Sequence, residues 1–507
     1  MTALAAEARL DVTMARACAG DTAGARTIAE AERQRFPDDP GVLRKAGLIL
    51  RQCGDPAAAL PLFRRALAIQ QTEIADLHAT LEQTAEALRR YDNAIETCPD
   101  LAVPYLAAAN LLCKTNRYWD GLLLLEALYE RQPNHVEANT LRTEFLRFHI
   151  MHPEVPRNFD PSPADDGTRH FRHLRALTEI GDFRGVLAHA AGLNPGAGSD
   201  LAFHAAVFAG HAKLALDAET PRAVAKAAAM ERSPAWLDPD RLTARLRDAI
   251  RDLAPLSMIR LGDGEARFLA LTDPWAAQRI TQHEATCIVS VIWRNWFGEP
   301  LDPATDLTAL SRQFTEAMAG ADIIGVSTAP RYEKDIFHRG YLALLERAID
   351  SVIATHPTVS LTHAFANILL HRHTPFYQDL LSGLDFLGVI GPHAGLAARL
   401  AAHHGIAGTR EYLVPGEARL PNAARTPTAV PHYPDRFRQL MAELTVPRPG
   451  AVFLVAAGLL GKIYCHRVRE LGGIAIDVGS IVDAWMGFST RPGLYNDPAA
   501  WTLPDPA

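Results

Sequence analysis

At 507 residues the chain is too long for one ordinary domain, and 48% hydrophobic with 21% charged residues is a globular composition with material for more than one core. The net charge of −7 argues against a nucleic-acid partner, because phosphate contacts need a basic face. Cys18, Cys53, Cys98, Cys113, Cys287 and Cys465 form no C-x-x-C pair, the opening "MTALAAEARLDVTMARACAG" has acids where a signal peptide needs an unbroken apolar run, and no stretch approaches the ~20 apolar residues of a membrane span. These features exclude a disulfide scaffold and a zinc ribbon, predict no transmembrane segment and make the cytoplasm the expected compartment.

Residues 1–150 predict helix after helix. "AGLILRQCGDPAAALPLFRRALAIQ" (46–70) reads as two amphipathic helices joined at Gly54-Asp55-Pro56, with small residues where helices approach closely. "YDNAIETCPD" and "ALYERQPNH" end at Pro99 and Pro133, 34 residues apart, and Pro37 precedes Gln71 by the same interval. Ala66 and Ala94 recur five residues before the repeat ends Gln71 and Pro99, although the step between those ends is only 28. The pattern resembles the tetratricopeptide family, whose stacked hairpins often bind partner proteins in a concave groove, with three to four degenerate repeats. A helical domain without a ligand fits the same text. The proline-rich "MHPEVPRNFDPSPADDGTR" reads as a connection, and the alanine-rich text beyond it completes a linker and helical bridge over 151–235.

From 236 short β-rich runs alternate with helices: "SMIRL", "ADIIGVS", "TVSLT", "FLGVI", "EYLVP", "AVFLVAA" and "IAIDVG". The alternation predicts an α/β domain over 236–490 with a largely parallel sheet, followed by a tail over 491–507. Ligands of such sheets bind beyond the carboxyl ends of the strands. There "IRLGDGEARFLAL" interrupts an apolar run with two carboxylates flanked by glycines. Gly262 and Gly264 permit close backbone approach, while Asp263 and Glu265 are hard oxygen donors suited to Mg²⁺ or Mn²⁺ shared with a diphosphate. The alternative is a turn aspartate and a helix-capping glutamate. "AAGLLGK" repeats the theme: Gly458 and Gly461 open a helix whose free N–H groups, with Lys462, could meet a phosphate. It departs from a Walker A loop in glycine spacing and in Ile463, which replaces the metal-binding hydroxyl. Asp477 ends an apolar strand, positioned either to hold a hydroxyl or to cap a turn.

"SMIRLGDGE" resembles the "RFGDGE" segment of the GT-D-fold glycosyltransferases, and "AVFLVAAGLLGKIYCHRVRELGGIAIDVGSIVDAW" (451–485) resembles the end of the same domain. The resemblance spans roughly 240 to 490 and implies a Rossmann-like GT-D domain that takes a sugar from a UDP-sugar. It places a divalent metal at Asp263 and Glu265, and the donor against Arg260, Gly262, Gly264, Gly458, Gly461, Lys462 and Asp477. Asp483 and Trp485 fall at the family's acidic-aromatic tail. "GPHAGLAARL" (391–400) departs from the family's arginine- and asparagine-bearing loop. Glu417, after Pro415-Gly416, is a general-base candidate for an acceptor hydroxyl, or a solvated turn residue. The long segment "PGEARLPNAARTPTAVPHYPDR" (415–436) is a lid or acceptor-site candidate. Arg331, Tyr332 and Lys334 are candidates for base or phosphate contact. "HRH" (371–373) and His403-His404 read as surface histidines rather than metal ligands. The leading expectation is a metal-assisted glycosyltransferase with a protein or glycan acceptor recruited by the repeats. The rival is a repeat-based protein-binding scaffold with an inactive nucleotide-sugar-binding domain; the absence of a G-x-S-x-G elbow argues against an α/β hydrolase.

Overall fold

The computed structural model describes residues 2–157, 166–193, 199–302, 304–418, 430–488, 490 and 498–504. It divides into two compact units, Met1–Ala176 and Leu177–Ala507. The segment read as a bridge over 151–235 is therefore not a unit of its own, and part of the predicted connection (158–165) lies outside the described residues.

The first unit is helical. Up to Met151 its helices are Ala3–Cys18, Thr22–Arg35, Pro40–Gln52, Pro56–Thr80, Thr84–Thr97, Ala102–Lys114, Tyr118–Arg131 and Val136–Met151, each packed on its successor. The turn at Gly54-Asp55-Pro56 forms as its residues dictate. Gly54 takes φ +80°, Asp55 accepts a 3.0 Å hydrogen bond from the Ala58 N–H, and Pro56 fills the first helical position. Helix starts recur 34 residues apart at Thr22 and Pro56, Thr84 and Tyr118, and Ala102 and Val136. The short step in the middle has a physical source. Nothing between Gln70 and Thr80 breaks a helix, so Pro56–Thr80 runs through 25 residues where a turn would have kept the interval.

The second unit holds a seven-stranded, wholly parallel sheet. Its strands are β1 (Leu256–Arg260), β2 (Ile323–Val326), β3 (Ser360–His363), β4 (Phe386–Gly391), β5 (Gly408–Leu413), β6 (Val452–Val455) and β7 (Ile474–Asp477), in the order β3-β2-β1-β7-β6-β4-β5. All seven predicted runs are strands. The inner strands read as apolar text because helices cover both faces: every residue of β2, β6 and β7 is buried, whereas the edge strand β5 carries exposed Thr409 and Arg410. One core lies between the sheet and helices that include Gln282–Phe297, Leu307–Ala319, Arg339–Thr355 and Gly458–Glu470. The other gathers Pro239–Arg251, Leu396–His404 and Ile481–Trp485 on the opposite face. Trp501 and Leu503 are buried in that second core, so this part of the predicted tail belongs to the domain; residues 491–497 and 505–507 lie outside the described residues. No helix among the described residues is long and apolar enough to cross a membrane.

Candidate functional site

β1, β6 and β7 end side by side, and the loops leaving them enclose a cavity of about 440 Å³ together with the loops after β3, β4 and β5. Arg260 is the last residue of β1, and Gly262 is the N-cap of the helix Asp263–Leu269. The Glu265 carboxylate turns back and accepts the Gly262 N–H at 2.9 Å, so the capping alternative holds for this acid. Its other oxygen lies 2.8 Å from the Lys462 ammonium. Lys462 also lies 3.1 Å from Asp477 and donates to the Gly458 carbonyl at 3.1 Å. Asp477 in turn accepts from the Arg260 guanidinium at 3.0 Å and the Arg260 backbone N–H at 3.2 Å. The remaining guanidinium N–H groups of Arg260 bond the Asp477 and Ala364 carbonyls and the Asn367 side chain.

The result is a buried, alternating row: Glu265, Lys462, Asp477, Arg260. Burial disfavours the charges of Lys462, Asp477 and Arg260, and the neighbours outweigh burial. Asp477 and Glu265 hold the Lys462 ammonium above its ordinary pKa, and Arg260 and Lys462 hold Asp477 below the usual carboxylate value. The row demands glycine at 479, where φ is +51° and a Cβ would stand 2.0 Å from the Arg260 guanidinium. Gly264 meets a similar demand, since a Cβ there would stand 2.9 Å from the Trp296 ring.

Asp263 faces elsewhere. Its carboxylate receives Arg331 at 2.8 Å and lies 3.5 Å from His338, and both partners also hold Asp335. Burial raises its pKa, but His338 and Arg331 together bring it down to about 2. The Asp263 side chain keeps 32% of its surface exposed against 11% for Glu265, so the two acids of the motif differ in access. Gly458, at φ +55°, begins the helix Gly458–Glu470, which has no side-chain cap; its first N–H groups open at the cavity wall formed by Ala456 to Leu459. Gly461 lies inside that helix and outside the described cavity lining, at a place where a Cβ would make only ordinary contacts with Val455 and Ala457.

Glu417 lines the cavity with Pro415 and Gly416, while residues 419–429 of the candidate lid lie outside the described residues. Sequence reasoning singled out Asp483 only as part of the tail motif. The structure puts it in the cavity wall, held at 2.7 Å by buried His393 and at 2.6 Å by the Thr490 hydroxyl. Asn367, Trp296, Phe297 and Phe365 also line the cavity and were not singled out, because nothing local marks a residue that a distant helix end brings there. Arg331 reaches the site through Asp263, whereas Tyr332 is buried away from the described cavity lining and Lys334 is exposed. The histidine reading is corrected in part. His371 and His404 are buried, His371 accepting from the Trp485 indole and the Phe376 N–H; both sit on the inward faces of their helices. Among the described residues no group of three or more His, Cys, Asp or Glu converges as a metal cage.

A parallel, doubly covered sheet with a charged cavity beyond its carboxyl ends is an α/β ligand-binding domain. Its family is shown directly: residues 237–485 match the model of the GT-D fold-like domain, and this half of the chain belongs to that family. The domain is thus glycosyltransferase-like at the level of class. No curated protein matches the chain.

Proposed function

We propose that the protein transfers a sugar from a nucleotide diphosphate sugar, with UDP as the carrier, to a hydroxyl acceptor. The observation that supports this most is the charge of the cavity. Among the described residues five carboxylates line it (Asp263, Glu265, Glu417, Asp477 and Asp483) against two cations, Arg260 and Lys462, with Arg331 reaching Asp263 from outside the lining. An excess of acids repels a bare diphosphate, and a divalent cation bound with it removes the conflict. The donor set fits a cation shared with substrate rather than one caged by protein: among the described residues no three ligating groups converge, and Asp263 keeps 32% of its side chain exposed. Asp263 and Glu265 would hold Mn²⁺ or Mg²⁺, with Asp263 the accessible ligand, and bound metal supplies neutralisation of charge on the departing diphosphate.

The chain's own groups do the rest. The uncapped N–H groups at Gly458–Leu460 offer hydrogen bonds and a positive dipole end to phosphate oxygens. Lys462 lies beneath them, clamped by Glu265 and Asp477, and acts through its field. Arg260 and Asn367 fix Asp477 and the following turn, Asn367 by donating to the Val478 carbonyl at 2.7 Å. Glu417, on the loop after β5, takes the acceptor proton in this reading. A protein or glycan acceptor recruited by the N-terminal helices belongs to the same proposal and rests on architecture alone. The test is UDP release from a panel of UDP-sugars with Mn²⁺ present. Release that falls at least about 100-fold in Asp263→Ala supports the assignment; unchanged release in Asp263→Ala and Glu265→Ala removes it.

A further inference from the structure

The helix Pro56–Thr80 is apolar on two sides, and the sizes are inverted. Its buried residues are mostly small: Ala59, Ala66, Ala68, Thr72 and Ala75, with Leu62 the one large member. Its large residues point outward. Leu60, Leu67, Ile74, Leu77 and the C-cap residue Leu81 are 51, 48, 40, 64 and 66% exposed. They are five of the fourteen large hydrophobics exposed among the described residues, gathered on one element. Leu60, Leu67, Ile74 and Leu81 stand seven residues apart. Half-buried Phe63, exposed Gln70 and Leu77 fall three residues after the first three of them.

That is an a/d heptad seam sustained for three heptads, about 30 Å at ~1.5 Å per residue. At 100° per residue it keeps to one stripe about 100° wide. The exposed side chains offer on the order of 500 Å² per copy, at the upper end of the largest patch a monomer ordinarily shows, a size that often marks a binding surface. With polar margins this approaches the ~800 Å² per partner of a standard interface.

We propose that this stripe binds the same helix of a second copy of the chain, in parallel and in register. The seam itself selects that occupant. A parallel, in-register pair sets Gln70 opposite Gln70 of the second copy, where the two amides bond each other; an antiparallel pair sets each amide against an apolar residue and leaves it unsatisfied. The flanking pair in a parallel coil joins position 73 to position 78 of the other strand, which sets exposed Glu73 beside His78, itself 2.6 Å from Gln83 through Nδ1, and so opposes no like charges. The two-fold axis makes every contact occur twice and closes the assembly at two chains.

The experiment is sedimentation equilibrium of the full chain from about 1 to 100 μM, with wild type, Leu67→Glu/Ile74→Glu and Gln70→Cys. The proposal predicts a wild-type mass twice that of the chain. The double glutamate variant dissociates at least about 100-fold more readily, with unchanged helical circular dichroism. Under mild oxidation Gln70→Cys forms a 70–70 cross-link identified by peptide mapping, a result that stands even should the double variant fold poorly. Wild type that stays monomeric across the range, a dimer indifferent to the glutamates, or a dimer without the 70–70 cross-link each overturns it.

Discussion

Lys462 and Asp263 line one cavity and carry opposite expectations. Lys462 is 4% exposed and is the partner of both Glu265 and Asp477, so Lys462→Met leaves two buried carboxylates facing each other. Unfolding free energy should fall by about 3–5 kcal/mol, measured by denaturant titration. Asp263→Asn removes a partly exposed charge and should change stability by no more than about 1 kcal/mol. With its folded pKa lowered to about 2, the Asp263 contribution is present above the ordinary carboxylate value and is lost only as pH falls through about 2. Asp263 therefore stays ionised across working pH. The residues legible in the sequence were those next to glycines at strand ends: Arg260, Asp263, Glu265, Lys462 and Asp477. Asn367 and His338 meet them from the starts of distant helices, and Asp483, read only as part of the tail motif, from a short helix after β7; the text around these side chains is apolar or unremarkable. Periodicity reports which face a residue takes and is silent on which loops converge.

The element that sets the motif is the seven-residue helix Asp263–Leu269, too short to be stable by propensity. Its Glu265 cap and the contact of Gly264 with Trp296 hold it. Alanine at 264 gains up to ~1 kcal/mol of helix propensity. It also places a Cβ 2.9 Å from an indole that is itself buried, and overpacking of this kind costs about 1–3 kcal/mol. The clash wins. Gly264→Ala should lower the thermal midpoint and quench nucleotide binding together, and a midpoint at or above wild type contradicts the packing account. At this scale the strands were legible, because burial on both faces writes the inner ones as short apolar runs between turn residues, while the edge strand β5 shows only through Tyr412 and Leu413 before its proline turn. The helix Pro56–Thr80 was not: Gln70-Gln71 reads as a repeat end, yet without glycine, proline or a capping acid the chain passes through it. Its heptad seam shows only once the helix is known to be continuous.

The molecule as a whole should be sensitive to mild acid. In the second unit burial pulls His211 and His432 down to about 3 and His371 and His404 to about 4. His211 accepts the Gly340 N–H at 3.2 Å, a role open only to the neutral ring. The unfolded chain protonates near 6.5 and the folded one does not, so this stability is present above about pH 6.5 and is lost as pH falls toward the folded values. Between pH 6.5 and 5, His211 and His432 alone account for roughly 3 kcal/mol, and calorimetry should show the midpoint of this unit dropping by roughly 5 °C. A midpoint flat over that interval contradicts neutral, buried rings. The proposed function makes a more central demand: in it the diphosphate arrives with a cation that Asp263 helps to hold. Isothermal titration of UDP, with and without Mn²⁺, into wild type and Asp263→Asn measures this directly. The account predicts one saturable site in wild type that requires Mn²⁺ and weakens at least about 30-fold in Asp263→Asn, with the thermal midpoint preserved. UDP that fails to bind wild type with Mn²⁺ present, or that binds Asp263→Asn as tightly, contradicts it.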